Sequence, residues 1–230
     1  QLFDMLHSMR QFDDLTYVHS VNVALIASIL GQWLKFSEKD IRILTISGLL
    51  HDIGKIMIPN EILTKPGKLT VAEYNIMKQH VNFGYEKVKN QNIDIRIKEA
   101  CLLHHEKCDG TGYPFGLKSD HIPAVAKIIA IADVYDAMTS ARVYRGALCP
   151  FEVIDTMYKD AFTKFEPEYI LPFLKNVASS YINNDVRLSD GRIGKVVLIN
   201  ENALSLPIVQ CEDEFIDLSK TRGLTVSAIL

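Results

Sequence analysis

The sequence lacks the features by which several classes of protein are recognised. Its four cysteines form no CxxC pair and show no zinc-ribbon spacing, which argues against a structural zinc site. The longest apolar stretches, around residues 23–30 and 125–132, are interrupted by polar side chains, well short of the ~20 residues that cross a bilayer. We therefore expect no membrane span. Because the N-terminus shows no signal-peptide pattern, we expect a reducing, cytoplasmic setting.

The sequence also lacks a large excess of positive or negative charge. The chain has 25 Lys and Arg against 28 Asp and Glu, a net charge of −3, with no run of basic residues. Duplex nucleic acid is therefore not an expected partner, and a phosphate-bearing ligand would have to be held by local groups or metal ions. Apolar residues make up 48% of the 230 residues and charged residues 23%, a composition typical of a globular protein with a real core.

Helical periodicity dominates residues 13–182, where no stretch alternates convincingly as a strand does. Ser37 with Asp40, and Thr70 with Glu73, have the spacing of helix-opening caps, and we expect the helix opened at Thr70 to carry His80. Four further helices are predicted: Ile93 to Glu106, Pro123 to Ala141, and two that open at Pro150 and Pro167 and end near Asn183.

The pattern changes at Val186. Asp190-Gly191 is a turn dipeptide, and the runs around it are rich in β-formers. The predicted strands are Arg192 to Ile199, Ile208 to Cys211, Phe215 to Leu218 and Leu224 to Leu230. We therefore divide the chain into a helical domain, residues 1–185, and a small β-rich segment, residues 186–230, whose role as docking surface, lid or stabilising appendage stays open.

Histidine and aspartate carry the chemical signal. Of seven histidines, five fall on or at the ends of predicted helices, and two aspartates accompany them: His19, His51, His80, His104, His105, Asp52 and Asp133. Ligands borne by several helices can converge in one bundle core, and nitrogen with carboxylate donors suits Fe, Mn or Zn. These are too many for one tetrahedral ion but suit two adjacent ions, with Asp52 as the natural bridge. His7 and His121 we expect to be ordinary residues.

Four motif pieces occur in order: HDIGK at 51–55, His80, HHEKCDGTGYP at 104–114 and IADVYDAMTSARVYR at 131–145. Over about residues 13–182 the chain resembles the HD-GYP domain, a branch of the HD superfamily of metal-dependent phosphohydrolases associated with bacterial cyclic di-GMP hydrolysis. The resemblance implies an all-α, HD-type helical bundle, here with a small C-terminal β appendage. It also implies that the five histidines, Asp52 and Asp133 are metal ligands.

The resemblance implies roles for further residues. Asp52 and Lys55 would be catalytic, with Lys55 stabilising the phosphoryl group or protonating the leaving oxygen. Substrate contacts would come from Lys55, Gly112, Tyr113, Pro114, Arg142 and Arg145. The two arginines, at i and i+3, suit a fork around a second phosphate.

The sequence also suggests roles for neighbouring residues. Gly110 and Gly112 allow unusual backbone conformations in an irregular loop, residues 107–122. Tyr113 could stack on a base or pack inward. Asp136, one turn after Asp133, could hydrogen-bond a ligating histidine. We expect Cys108 to be a buried spectator thiol.

One position departs from the family pattern. Members that hold a third metal place a glutamate one helical turn before the first histidine, and that position here is Leu15. A leucine cannot ligate a metal. We therefore expect two divalent transition-metal ions, Fe or Mn first, with Zn, Ni or Co as alternatives.

The resulting hypothesis is a phosphodiesterase that hydrolyses cyclic di-GMP to pGpG, or further to GMP, through hydroxide generated at a binuclear metal centre. The alternatives are a phosphodiesterase for another cyclic dinucleotide, such as cyclic GMP-AMP, a catalytically weak cyclic di-GMP receptor, and a single-metal HD nucleotidase. The last would need neither His80 nor the His104-His105 pair. A sensory or regulatory module upstream and a dimer are further expectations.

Overall fold

The computed structural model describes residues 8–11, 13–140 and 148–230. His7 and the predicted substrate contacts Arg142 and Arg145 lie outside the described residues. The α-helices are α1 (Asp14–Trp33), α2 (Glu38–Leu50), α3 (Asn60–Leu63), α4 (Val71–Met77), α5 (His80–Val88), α6 (Ile95–Leu103), α7 (Ala124–Thr139), α8 (Pro150–Asp160) and α9 (Pro167–Ser180). Short 3-10 helices span Ile53–Met57 and Ser119–His121.

A five-stranded antiparallel sheet follows the helices. Its strands are β1 (Asp185–Leu188), β2 (Ile193–Leu198), β3 (Ile208–Cys211), β4 (Glu214–Asp217) and β5 (Val226–Ile229), in the order β4-β3-β2-β1-β5. Gly191, with φ +93°, occupies the predicted turn between β1 and β2. Strand β1 was missing from the predicted strands; its Val186 and Leu188 are buried, whereas Asp185 and Arg187 are exposed. The predicted class, helical with a small C-terminal sheet, is confirmed.

Local capping explains where the helices begin. Ser37 Oγ accepts a hydrogen bond from the Asp40 amide at the start of α2. Thr70 and Glu73 form a full capping box at the start of α4. Both caps lie where the sequence predicts them, because a cap depends only on residues three apart.

The helix opened at Thr70 does not reach His80, so this prediction was wrong. Helix α4 ends at Met77, and α5 begins at His80 after a two-residue turn. His80 Nδ1 lies 2.7 Å from the Met77 carbonyl oxygen. In an unbroken helix that oxygen would accept a hydrogen bond from the amide four residues later. Here the His80 imidazole is its hydrogen-bond partner, at the point where the two helices meet.

The chain divides into two compact units. One comprises Gln1–Ala137 and Thr163–Glu166, and the other Met138–Phe162 and Pro167–Leu230. The predicted boundary after residue 185 falls one residue inside β1, and packing places α8 and α9 in the same unit as the sheet. Within that unit α8 packs against α9 and β5, burying Phe151, Ile154 and Met157. An amphipathic helix joins the unit against which its apolar face is buried.

Helix α1 is long and apolar enough, by length and composition alone, to cross a bilayer. Core helices of water-soluble proteins pass the same test. Here α1 packs along α2 and buries seven of its residues. It also carries His19, one of the residues predicted to bind metal.

Candidate metal centre

Helix ends, turns and two helix interiors bring the predicted ligands together in the first compact unit. His51 caps the C-terminus of α2 and Asp52 follows it. His80 opens α5, and His104, followed by His105, caps the end of α6. His19 and Asp133 come from within α1 and α7.

Asp52 lies at the centre of the cluster and is 1% exposed. Its Oδ2 atom is 3.3 Å from His51 Nε2 and 3.7 Å from His19 Nε2. Its Oδ1 atom is 3.3 Å from His80 Nε2 and 3.9 Å from His104 Nε2. Two groups of candidate ligands therefore share this carboxylate: His19, His51 and Asp52, and Asp52, His80, His104 and His105.

Asp133 is the second carboxylate of the cluster. Its Oδ1 atom lies 2.9 Å from His19 Nε2 and 4.0 Å from His51 Nε2, and its Oδ2 atom lies 3.9 Å from His105 Nδ1. It is thus within reach of histidines from both groups.

Main-chain carbonyl groups orient three of the histidines. The Nδ1 atoms of His51, His80 and His104 lie 2.7, 2.7 and 2.9 Å from carbonyl oxygens three or four residues earlier. An Nδ1 that donates to a carbonyl leaves Nε2 with its lone pair free. In all three rings that atom faces Asp52.

The donor set fits metal ions. His51 Nε2 and Asp52 Oδ1 are buried, yet neither has a hydrogen-bond partner. Unpartnered buried polar atoms are costly and call for an explanation. Divalent cations between Nε2 lone pairs and a shared carboxylate would satisfy both atoms.

Burial lowers the pKa of His80, of His104 and, to about 3, of His105. These rings are therefore neutral near pH 7, the form that binds metal. Burial alone would raise the pKa of Asp52, but Lys55 and His51 outweigh it and hold that pKa well below its usual value. Neutral imidazoles around a charged carboxylate are the protonation states that metal binding requires.

His19 differs because it lies between two carboxylates. Its Nδ1 atom is 2.6 Å from Asp136 Oδ2, and Asn22 donates to the other oxygen of Asp136 at 2.9 Å. Burial lowers the pKa of His19, but hydrogen bonds to Asp133 and Asp136 outweigh it and raise that pKa to about 9. The two carboxylates therefore stabilise positive charge at the His19 ring. Asp136 stands where the sequence predicts a carboxylate that orients a ligand.

Lys55 and the glycine-rich loop border the cluster. Lys55 Nζ lies 2.5 Å from Asp52 Oδ2. The Tyr113 ring stacks on His105, with centroids 4.7 Å apart and 28° between the planes. One face of Tyr113 is thus directed inward, as one of the two alternatives for this residue predicts.

The two loop glycines are needed for different reasons. Gly110 has a φ of +83°, a conformation that glycine adopts without strain. Gly112 does not have a positive φ, but a Cβ at this position would lie 2.5 Å from Glu106 Cα and 2.6 Å from the His105 carbonyl oxygen. Gly112 therefore allows the loop to lie against the histidine pair.

Three residues near the cluster were missed by the sequence analysis: Asn22, which donates to Asp136, Lys78, which lies beside Tyr113, and Glu106. The buried carboxylate of Glu106 accepts the amides of Phe115 at 2.7 Å and Leu117 at 2.9 Å. In the sequence, only the position of Glu106 directly after His104 and His105 indicated a role for it. The interactions of Asn22 and Lys78 span chain separations that no motif reveals.

Other candidates lie outside the two ligand groups. Leu15 is 60% exposed and has no ligand atom. His121 is exposed beside Asp120. Cys108 is only partly buried, with its thiol pKa raised by burial, and belongs to neither group.

The chain is similar in sequence to known proteins. The chain is 36% identical over 203 residues to a cyclic di-GMP phosphodiesterase of Pseudomonas aeruginosa, covering 88% of this chain and 49% of that protein. It is 36% identical over 158 residues to a 3'3'-cGAMP-specific phosphodiesterase of Vibrio cholerae, covering 67% of this chain and 30% of that protein. The chain thus spans half or less of the length of these relatives.

The fold also matches a solved structure. The HD domain of the Listeria monocytogenes phosphodiesterase PgpH, crystallised with cyclic di-AMP, aligns with a TM-score of 0.59 at 18% identity, covering 77% of this chain and 95% of that one. Residues 5–169 match the HD domain family. On the strength of that match, and of a histidine and aspartate cluster that could bind metals, the chain belongs to the HD domain family, as its motifs predict.

Proposed function

We propose that this chain is a metal-dependent phosphodiesterase that hydrolyses cyclic di-GMP to pGpG, with two divalent ions as cofactors. The observation that carries the proposal is the position of Asp52, whose two oxygens face two separate sets of imidazole Nε2 atoms. A carboxylate shared in this way is typical of a bridging ligand in a two-metal site.

The proposed ligands divide between two ions. His19, His51 and Asp133 would hold one, His80, His104 and His105 the other, and Asp52 both. When bound, two such ions lower the pKa of water and offset charge on the phosphoryl oxygens during in-line displacement. Fe and Mn are our first candidates, because mixed nitrogen and carboxylate sites suit them, with Zn, Ni or Co as alternatives.

Lys55 supplies the positive charge closest to the proposed bridge. Its ammonium group is held by Asp52, and the Lys55 side chain is 19% exposed at the edge of the cluster. From there Lys55 can stabilise a phosphoryl oxygen or give a proton to the leaving oxygen. Tyr113, stacked on His105, would position the substrate beside these groups.

The names of the relatives support the substrate class. The Pseudomonas aeruginosa relative is a cyclic di-GMP phosphodiesterase, and its alignment covers most of this chain. Cyclic GMP-AMP is the second candidate substrate, because the similar Vibrio cholerae protein is specific for 3'3'-cGAMP.

Elemental analysis of the purified chain, paired with a product assay on cyclic di-GMP, tests the proposal. We expect about two ions per chain and formation of pGpG, with both lost in Asp52→Ala because the shared carboxylate is removed. Asp120→Ala, at an exposed aspartate, is the control and should retain both. One ion or fewer, or full loading without turnover of any cyclic dinucleotide, would refute the proposal.

We also propose a cytoplasmic location. All four cysteines are free thiols, as expected for proteins in a reducing compartment. Fractionation of the native host, followed by immunodetection, tests this. Recovery from the membrane or an exported fraction would contradict it.

A further inference from the structure

Helix α4 ends three residues before His80 and buries none of its residues. The Tyr74 side chain is 49% exposed and Val71 is 81% exposed. A surface helix normally turns its apolar side chains toward a core. The aromatic ring of Tyr74 is instead available to a ligand.

Lys78, directly after α4, places its ammonium group over two aromatic rings. Lys78 Nζ lies 5.2 Å from the Tyr74 ring centroid and 6.0 Å from the Tyr113 ring centroid. Among the described residues Lys78 has no carboxylate partner, whereas Lys55 pairs with Asp52 and Lys65 with Glu73. Its N–H donors therefore remain available to a ligand.

These residues connect the surface to the proposed metal site. Tyr113, beside Lys78, stacks on His105 and lies 6.5 Å from the His80 ring, centroid to centroid. A nucleotide whose phosphate lies at the ligand cluster would thus have aromatic surface and an ammonium group within reach of its base. We call Tyr74, Lys78 and Tyr113 the lysine–tyrosine site.

We infer that the lysine–tyrosine site binds a guanine base of the substrate, which stacks on the half-exposed Tyr74 ring while Lys78 donates to O6 and N7. This inference rests on the proposed function and names the base that the same site selects. Guanine presents two adjacent acceptors, whereas adenine presents one acceptor and an amino donor. The lysine ammonium can only donate, so it favours guanine over adenine. Stacking alone tolerates every base.

Equilibrium binding of GMP and AMP to the metal-loaded protein tests the inference. Lys78→Met should weaken GMP binding about tenfold, the loss of one good base contact, and change AMP binding by less than about twofold. Lys78→Arg should preserve the preference for GMP, because its guanidinium also donates to O6 and N7. Lys68→Met is the matched control, since Lys68 is an exposed lysine outside the site.

Turnover provides the second measurement. In Lys78→Met, kcat/KM for cyclic di-GMP should fall about tenfold, mainly through KM, while kcat/KM for cyclic di-AMP should change less than about twofold. An equal fall in kcat/KM for both substrates would show that Lys78 contacts a phosphate, and would overturn the inference. Unchanged GMP binding in Lys78→Met would overturn it as well. Because GMP and AMP binding is measured without turnover, failure of the proposed function can be distinguished from failure of this inference.

Discussion

Four cluster histidines have their Nδ1 atoms occupied by protein acceptors. Asp136 serves His19, and main-chain carbonyl groups serve His51, His80 and His104. Such partners set the ring orientation and the nitrogen that binds metal. The sequence predicts that the histidines are ligands, but their hydrogen-bond partners become visible only in the fold.

Asp136→Asn should weaken metal binding at the His19 side of the cluster by about 10-fold to 100-fold, because a neutral amide orients and polarises the imidazole less than a carboxylate does. Metal titration monitored by calorimetry measures the effect. Asp120→Asn, at an exposed carboxylate, should leave affinity unchanged. Equal affinity in Asp136→Asn and the unaltered chain would show that Asp136 has no such role.

The chelator-treated protein should lose stability as pH falls below about 6.5, the ordinary pKa of histidine. Burial lowers the pKa of His80, His104 and His105 in the folded chain. The unfolded chain therefore takes up protons first as pH falls, which favours unfolding. His19, with its pKa raised to about 9, opposes the trend above about pH 6.5, because there the folded chain holds a proton that the unfolded chain lacks, and its contribution is constant once both states are protonated.

Urea unfolding between about pH 7.5 and about pH 4.5 measures this dependence. His105→Gln should reduce the slope of stability against pH, because one buried titrating group is removed. His121→Gln is the control, since His121 is exposed. A free energy of unfolding that stays constant over this range would contradict the prediction.

At the scale of elements, the cluster depends on close approaches between helix ends. A Cβ on Gly54, in the 3-10 helix after Asp52, would lie 1.9 Å from the His80 carbonyl oxygen and 2.4 Å from the Gly84 amide. The 3-10 helix and α5 can therefore touch only because residue 54 is glycine. This contact holds Asp52 near His80.

Gly54→Ala should destabilise the protein by about 3 kcal/mol or more, because the obstructing atoms are backbone and cannot rotate aside. It should also reduce metal content by separating Asp52 from His80. Gly67→Ala is the comparison: residue 67 has open space around it but a φ of +116°, so the substitution should cost only about 1–2 kcal/mol. Denaturation and elemental analysis measure both, and equal costs would contradict the prediction.

The glycine-rich loop is held to the histidine pair by Glu106. Glu106→Gln replaces one carboxylate oxygen by an amide that cannot accept, so one of the Phe115 and Leu117 amides loses its partner. We expect faster hydrogen exchange at these amides and a KM for cyclic di-GMP raised more than kcat is lowered. Glu61→Gln, at an exposed glutamate, is the control. Unchanged exchange would show that Glu106 does not hold the loop.

At the scale of the whole molecule, the proposed ligands all belong to one compact unit, and the sheet belongs to the other. Phe151, 2% exposed, lies 5.6 Å from the Tyr181 ring within the second unit. Phe151→Leu should lower the free energy of unfolding by about 1–3 kcal/mol while leaving metal content of the folded protein unchanged. Denaturation and elemental analysis test this, and metal loss at full folding would contradict it.

Prediction from sequence succeeded where structure depends on near neighbours. The caps at Ser37 and Thr70 and the turn at Gly191 lie where expected, because each depends on a few consecutive residues. The prediction of a continuous helix from Thr70 to His80 was wrong for a reason that is also local. The imidazole of His80 forms a hydrogen bond with the Met77 carbonyl oxygen. Periodicity does not report side-chain hydrogen bonds of this kind.

The sequence by itself determined the fold class, the family and the residue types able to bind metal, because these follow from periodicity and from motifs of adjacent residues. Only the tertiary structure decided how those residues meet. His19 contacts Asp133 and Asp136 across 114 and 117 residues of chain, and Asp52 turns one oxygen to each ligand group. The site beside Lys78 likewise depends on packing. Such contacts form only when the helices pack, and no local pattern encodes distances between residues so far apart in the chain.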